Sequence, residues 1–347
     1  KAITKYVSDY SARVIADGGT VEGLTNVTTI AQNLRNSDLF ERLTLLFVPS
    51  AVKASKAYVL IPEDGTGALT VVRNTTATYF NSSMILVLAA ANVARYTYLT
   101  VGGNPFLLDE PQRTNLVTFS NDFTNSTKTF NNVLTTANAT TSPDNTANAS
   151  KLIATSSNTF HRLFNINNFI TGNTYAFSIF AKKSELNFLQ LVPGGASFGQ
   201  AFVNFDLLNG TIGSSSNVLS LKIEEIKDGF FRCSFTALAT TSSSTDVSVV
   251  LIQSSTAPRL QSFVGNNVDG IFVYGLQVEI GTEASSYIPT AVAAVTRNAD
   301  VITRTPPTGT VKITTTFSDD TTQVLTTIPA TYTVPDGLIK SIAMNNV

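Results

Sequence analysis

The stretch that decides the fold is "TYAFSIFAKK", Thr174 to Lys183. Phe177, Ile179 and Ala181 alternate with Ser178, Phe180 and Lys182, a period of two that a strand presents and a helix does not. The same reading extends to "NFLQLVP" (Asn187 to Pro193), "AFVNFDL" (Ala201 to Leu207) and "SLKIEEI" (Ser220 to Ile226). It continues through "FFRCSFTAL" (Phe230 to Leu238), "DVSVVLI" (Asp246 to Ile252) and "GIFVYGLQVE" (Gly270 to Glu279). Gly, Asn and Ser punctuate these runs, and no helical period separates them. Such regular short strands predict a mainly β chain with a central antiparallel jelly-roll sandwich over residues 110–298.

Away from this centre the pattern changes. In residues 1–47, "SDYSARVIADGG" offers Ser8 or Asp9 as a cap and Gly18-Gly19 as a stop. Val21, Leu24, Val27, Thr28 and Ala31 then recur at helical spacing, and "DLFERLTLLFVPS" continues as a third short run. Helices this short need a partner to be stable, so 1–47 reads as a helical docking segment for assembly. Residues 48–109 carry strand signals ("KAYVLIP", "ALTVVRN", "TATYFNS", "RYTYLTVGG") and read as a β-rich connector. Residues 299–347 begin at a stiff Pro306-Pro307 boundary and hold four candidate strands, "GTVKITTTF", "QVLTTIP", "ATYTVP" and "LIKSIAM". They predict a small β module that leans on other structure, since so short a piece is marginal alone.

Composition restricts the function. Of 347 residues only 14% are charged, and 23 Lys and Arg against 24 Asp and Glu give a net charge of −1. No basic surplus is present for phosphate neutralisation, so nucleic acid is not an expected partner. Near-neutrality protects a free monomer poorly, which favours life inside an assembly and a homo-oligomer, a trimer among the forms considered. The longest apolar run, "MILVLAAANV" from Met84, falls short of the ~20 residues of a membrane-spanning helix. No membrane insertion is expected.

Catalytic chemistry finds little material. Cys233 is the only cysteine and lies in an apolar run, where it reads as a small buried residue. His161 is the only histidine, with no nucleophile elbow to serve it, and reads as a hydrogen-bonded structural side chain. Asp206, Glu224, Glu225 and Glu279 are the carboxylates a glycosidase would draw on, yet each lies on an apparent strand, where outward solvation accounts for it. Glu63 and Asp64, in the turn "PEDGTG", carry the only hint of a calcium ion, and a solvated turn is the plainer reading. The expectation is no enzyme and no cofactor. Sugar recognition needs exposed ring faces, and without Trp the candidates are Phe180, Phe198 and Tyr274, with Tyr175 and Phe188 behind them.

Several strings then stand in a telling order. "LLDEPQRTNLVTFSNDF" and "TTSPDNTANASKL" open the central region, "YAFSIFAKK" and "KDGFFRCSFTA" lie in its middle, and "GLQVEIGTEASSYIPT" and "AVTRNADV" close it. Over residues 105–301 this order resembles a domain of bacteriophage tail and virion proteins, with Phe230-Phe231 where Trp-Tyr is usual and Asn145 where the turn usually has Gly. "YSARVIADGGTVEG" and "FVPSAVKASKAYVLIP" resemble regions that accompany it in phages of Bacteroidota-type hosts. The resemblance implies a concanavalin-like or carbohydrate-binding-module-like jelly roll in a tail fibre, head fibre or capsid-surface decoration. It implies a virion protein made in the host cytoplasm, joined to other virion proteins through residues 1–47 and offering host attachment through a surface glycan. It supplies no ligand residues. The competing expectation is a secreted bacterial adhesin or free carbohydrate-binding module. For the motifs themselves a structural role is expected, with Arg113 and Arg297 pinning the incoming and outgoing strands through backbone groups or through Glu110 and Glu279.

Overall fold

A computed structural model describes residues 57–60, 69–306 and 308–346. The docking segment expected over 1–47 and the acidic turn at Glu63 and Asp64 lie outside the described residues. The described chain is mainly β and antiparallel, and its one helix is a single turn at Gly195–Phe198. It divides into two compact units: Val71–Ile302 with Pro335–Gly337, and the remaining residues, including Thr303–Val334 and Leu338–Val347. Residues 71–109, read from sequence as connector, thus belong to the same unit as the central strands.

Twelve strands build the heart of the larger unit. They are β1 (Thr129–Asn131), β2 (Val133–Thr140), β3 (Ala149–Ala154), β4 (His161–Phe169), β5 (Thr174–Lys183) and β6 (Phe188–Pro193), followed by β7 (Phe202–Asp206), β8 (Thr211–Ser216), β9 (Ser220–Glu225), β10 (Phe230–Leu238), β11 (Ser243–Ile252) and β12 (Gly270–Ile280). One six-stranded sheet runs β9-β10-β5-β12-β3-β2, and the other runs β8-β7-β6-β11-β4-β1. The two share one core. Phe177, Ile179, Cys233, Phe235, Val273 and Val278 from the first sheet meet Leu163, Leu191, Val203, Phe205, Val249 and Leu251 from the second. Phe177 stacks on Phe235 at 4.7 Å between centroids and meets Phe198 edge-on at 5.4 Å. Alternating strands from two facing sheets make a sandwich, as the period-two pattern requires.

The outer faces of the two sheets differ. On the first sheet, Phe180 and Tyr274 point away from the sandwich core, yet both are buried. Phe80, Met84, Leu86, Tyr98 and Tyr287 cover them in a second apolar cluster. On the second sheet only the β6 and β11 part is covered, by residues 253–262, whose Ala257 and Leu260 pack on Val192, Val250 and Ile252. Gln190 and Asn204 hold that loop down. The Gln190 amide donates to the Pro258 carbonyl and accepts from Leu260 N–H, and Asn204 donates to the Ser255 and Ala257 carbonyls at 3.0 and 2.8 Å.

The smaller unit is built on antiparallel strand pairs. Thr310–Phe317 pairs with Thr322–Leu325 on one side and with Gly337–Asn346 on the other. Ala57–Leu60, from the predicted strand "KAYVLIP", pairs with Gly337–Asn346 as well. The tail module therefore includes a strand from far upstream, Leu60 pairing with Ile342.

Candidate functional site

The strings that carried the resemblance converge in the larger unit, where they build a clasp. Glu110 accepts from Ser286 twice, from N–H at 2.7 Å and from Oγ at 2.6 Å. Glu279 does the same to the neighbouring Ser285, at 2.6 and 2.7 Å. Gln277 takes Ile288 N–H at 2.6 Å, and Asn115 donates to the Ile288 carbonyl at 2.9 Å. Ser120 Oγ meets Tyr287 OH at 2.6 Å and accepts from Thr290 N–H at 2.9 Å. "SSYIPT" is thus read residue by residue from the strands that open and close the sandwich. Gly275, in "GLQVE", has φ of 62°, and a Cβ there would stand 3.1 Å from both Phe180 and Tyr287. Only glycine suits that bulge.

Below these contacts lies a buried ion network. Asp300 takes Arg73 Nη1 at 2.6 Å and also Arg95 Nη2, which reaches Glu110 Oε2 at 2.7 Å. Arg95 Nη1 donates further to the Thr78 carbonyl and to Ser286 Oγ. Arg297 donates to the Pro111 carbonyl at 2.9 Å and lies 3.4 Å from Glu110. Burial works to raise the Glu110 pKa, but Arg95, Arg297 and the Ser286 donors outweigh it and hold the group at about 2. Asp109, one residue earlier, is pushed up to about 8 by burial and by the nearby Asp300. Its two oxygens have no hydrogen-bond partner among the described residues. Glu110, Glu279, Gln277, Asn115 and Ser120 are all engaged with the 285–290 stretch, so the clasp closes the fold.

The arginine expectation is half met. Arg297 does pin the incoming strand, through Pro111 and Glu110. Arg113 instead donates to the adjacent Gln112 carbonyl, and Glu279 is occupied by Ser285 and Gln277. The turn "SPDNT" is likewise structural: Asp144 accepts from Thr146, Asn148, Ser142 and Tyr274 OH. Asn145 stands there at φ of 66°, in the left-handed region that glycine or asparagine tolerates, which explains the exchange noted in the sequence.

The three rings expected to meet a glycan are core side chains instead. Phe180, Phe198 and Tyr274 are 1%, 3% and 4% exposed, and no ring face is open for stacking. Phe180 does leave the sandwich core, as its alternation indicated, but it enters the second cluster with Phe80 and Tyr287. The outward solvation expected of Glu279 and Asp206 also fails: both are buried, with Asp206 capping the turn at Leu208 and Asn209. Nor do these carboxylates pair. Glu224 and Glu279 lie on strands separated by two others, roughly 14 Å at the usual strand spacing, beyond the reach of a glycosidase pair. His161 is buried with its two ring nitrogens 2.6 and 3.0 Å from the Asn132 and Phe263 carbonyls, and Cys233 is buried and unpaired.

The outer face of β4 and β11 is where the larger unit leaves functional chemistry open. Alternation along β4 turns His161, Leu163, Asn165, Asn167 and Phe169 inward, and sets Arg162, Phe164, Ile166 and Asn168 outward. Arg162 lies along its own strand, its guanidinium 4.4 Å from the Phe164 ring centroid. It reaches Asp246 Oδ2 at 2.6 Å and Ser248 Oγ at 3.1 Å. Arg259, at the rim of the covering loop, is held only by long contacts of 3.4 Å to the Ala201 and Pro193 carbonyls. Burial lowers the Arg259 pKa, Asp246 opposes the change and Arg162 adds to it, so the three charges sense one another. Beside them Ile166 is 56% exposed, and Asn168, Ser244 and Thr129 are exposed too.

Comparison with protein-family models and with curated proteins gives no match.

Proposed function

We propose that the chain is a structural component of a bacteriophage virion, displaying a jelly-roll domain at a fibre, tail or capsid surface where it contacts host glycans. The observation that carries this reading is the order of six separated strings across residues 105–301, which resembles one domain of virion proteins from end to end. Strand order supports the jelly-roll part. With the outermost strands set aside, β10-β5-β12-β3 faces β7-β6-β11-β4, the two four-stranded halves of a double Greek key. The neutral, weakly charged composition suits a chain surrounded by copies or partners. Residues 1–47 are the segment we assign to docking.

Solution mass tests the assembly part. The full-length chain is expected to form an oligomer, and a version lacking residues 1–47 a smaller, well-behaved species. Antibodies to the chain should also label purified particles of the phage that encodes it. Two stable monomers and unlabelled particles would remove the reading in favour of a free glycan-binding module.

A further inference from the structure

The open outer face of the second sheet has an uneven charge. Across β1, β4, β6, β11 and residues 253–262 the charged side chains are Arg162, Asp246 and Arg259, apart from the inward His161. Two cations therefore stand beside one anion, in a chain whose net charge is −1. Asp246 accepts through Oδ2 from Arg162 Nη1 at 2.6 Å and from Ser248 Oγ at 2.7 Å, with Thr245 Oγ1 3.4 Å from Oδ1. Arg259 makes only two hydrogen bonds to neutral carbonyls, both at the outer limit of distance. Arg162 is fixed by Asp246 and by its bed on Phe164 and Phe160, at 4.4 and 5.4 Å. It is thus a preorganised planar cation with part of its fork unused.

Extending the glycan-contact reading above, on which this inference rests, we propose that Arg162 and Arg259 form an anion subsite for an acidic polysaccharide. The carboxylate, sulfate or phosphate substituent of such a polymer sits between the two guanidinium groups, where charge-assisted forked hydrogen bonds are strongest. The sugar backbone then runs along β4, over Ile166 and beside the neutral donors and acceptors of Asn168, Ser244 and Thr129. The rim is rigid for the purpose, since Gln190 and Asn204 nail the loop that carries Arg259.

The test is binding of the full-length chain to polygalacturonate, dextran sulfate and unsubstituted dextran at fixed ionic strength, followed by calorimetry. The two charged polymers distinguish a carboxylate from a sulfate preference, and dextran reports neutral recognition. The variants are Arg259→Ala and Arg162→Ala, with Lys222→Ala removing a positive charge from the exposed Lys222–Glu224 pair on the first sheet. Either arginine variant should weaken binding to a charged polymer by about tenfold or more, while Lys222→Ala leaves it unchanged. A melting temperature unchanged in Arg259→Ala shows that the loss is not unfolding. Equal losses for Lys222→Ala, or full affinity in Arg259→Ala, would overturn the site. Charged polymers that bind no tighter than dextran, with binding to all three surviving both arginine changes, would overturn the anion subsite and leave glycan display standing. Absence of binding to every polymer would overturn both.

Discussion

The two outer faces of the sandwich show how the same kind of side chain serves opposite ends. Each face carries an arginine–aspartate pair and aromatic rings. In the segments that flank the first sheet Asp300 holds Arg73 and Arg95, where all three side chains are within 1% of complete burial, and Phe180 of that sheet is sealed beneath a second layer. On the second, Arg162 and Asp246 keep 18% and 20% of their side-chain surface, and Ile166 beside them is open. The buried pairs lock chain ends together. The half-open pair sets a cation in place and leaves it available. What separates structure from function in this chain is therefore the covering layer, not the residue types beneath it.

Breaking the sealed side should have the largest effects. Arg95→Ala strips one partner from both Asp300 and Glu110 and leaves buried carboxylates uncompensated. It should cost about 4 kcal/mol in denaturant unfolding, enough to leave little soluble protein. Phe180→Ala empties a space lined by Phe80, Tyr274 and Tyr287 and should cost about 3 kcal/mol, with glycan affinity per folded molecule unchanged.

These outcomes bear on how far the sequence could be read. Strand existence was legible nearly everywhere in the central region, and "TYAFSIFAKK" and "FFRCSFTAL" match β5 and β10 residue for residue. Alternation gives the two faces of a strand, but it does not say whether a second layer lies over one of them. That is why Phe180 and Tyr274 were read as available, and why Glu279 was read as solvated. Arg73 and Arg95 gave no signal at all, because their partner Asp300 is some 200 residues away in the chain. The strand His161–Phe169 and its outward stripe of Arg162, Phe164 and Ile166 went unread, because the lone His161 drew the reading and Asn165, Asn167 and Asn168 break the apolar pattern. Arg259 went unread as well, since it reaches that stripe from a loop. The left-handed Asn145 and the bulge glycine Gly275 mark places where a conspicuous string answers to backbone geometry alone.

Titration sharpens the contrast, because Glu110 and Asp109 on the sealed side are shifted strongly and in opposite directions. Glu110 is held at about 2 in the fold against an ordinary 4.5, so its contribution is complete above about pH 4.5 and lost as pH falls toward 2. That loss should reach about 3 kcal/mol in unfolding measured at stepped pH. Asp109 acts in the reverse sense. With its pKa raised from 3.8 to about 8, the folded state holds the proton more tightly, so stability falls as pH rises between those values. Asp109→Asn should flatten that descending limb and leave the acid limb of Glu110 in place. An unchanged descending limb would exclude Asp109 as its source.

The most direct test compares the two aspartates in one experiment, chemical denaturation of Asp300→Ala and Asp246→Ala beside the unaltered chain. The sealed pair should lose about 3–5 kcal/mol, because Arg73 and Arg95 are stranded away from water. The open pair should lose about 1 kcal/mol, because Arg162 turns to solvent. Equal losses at the two positions would contradict the division into a structural face and an available one.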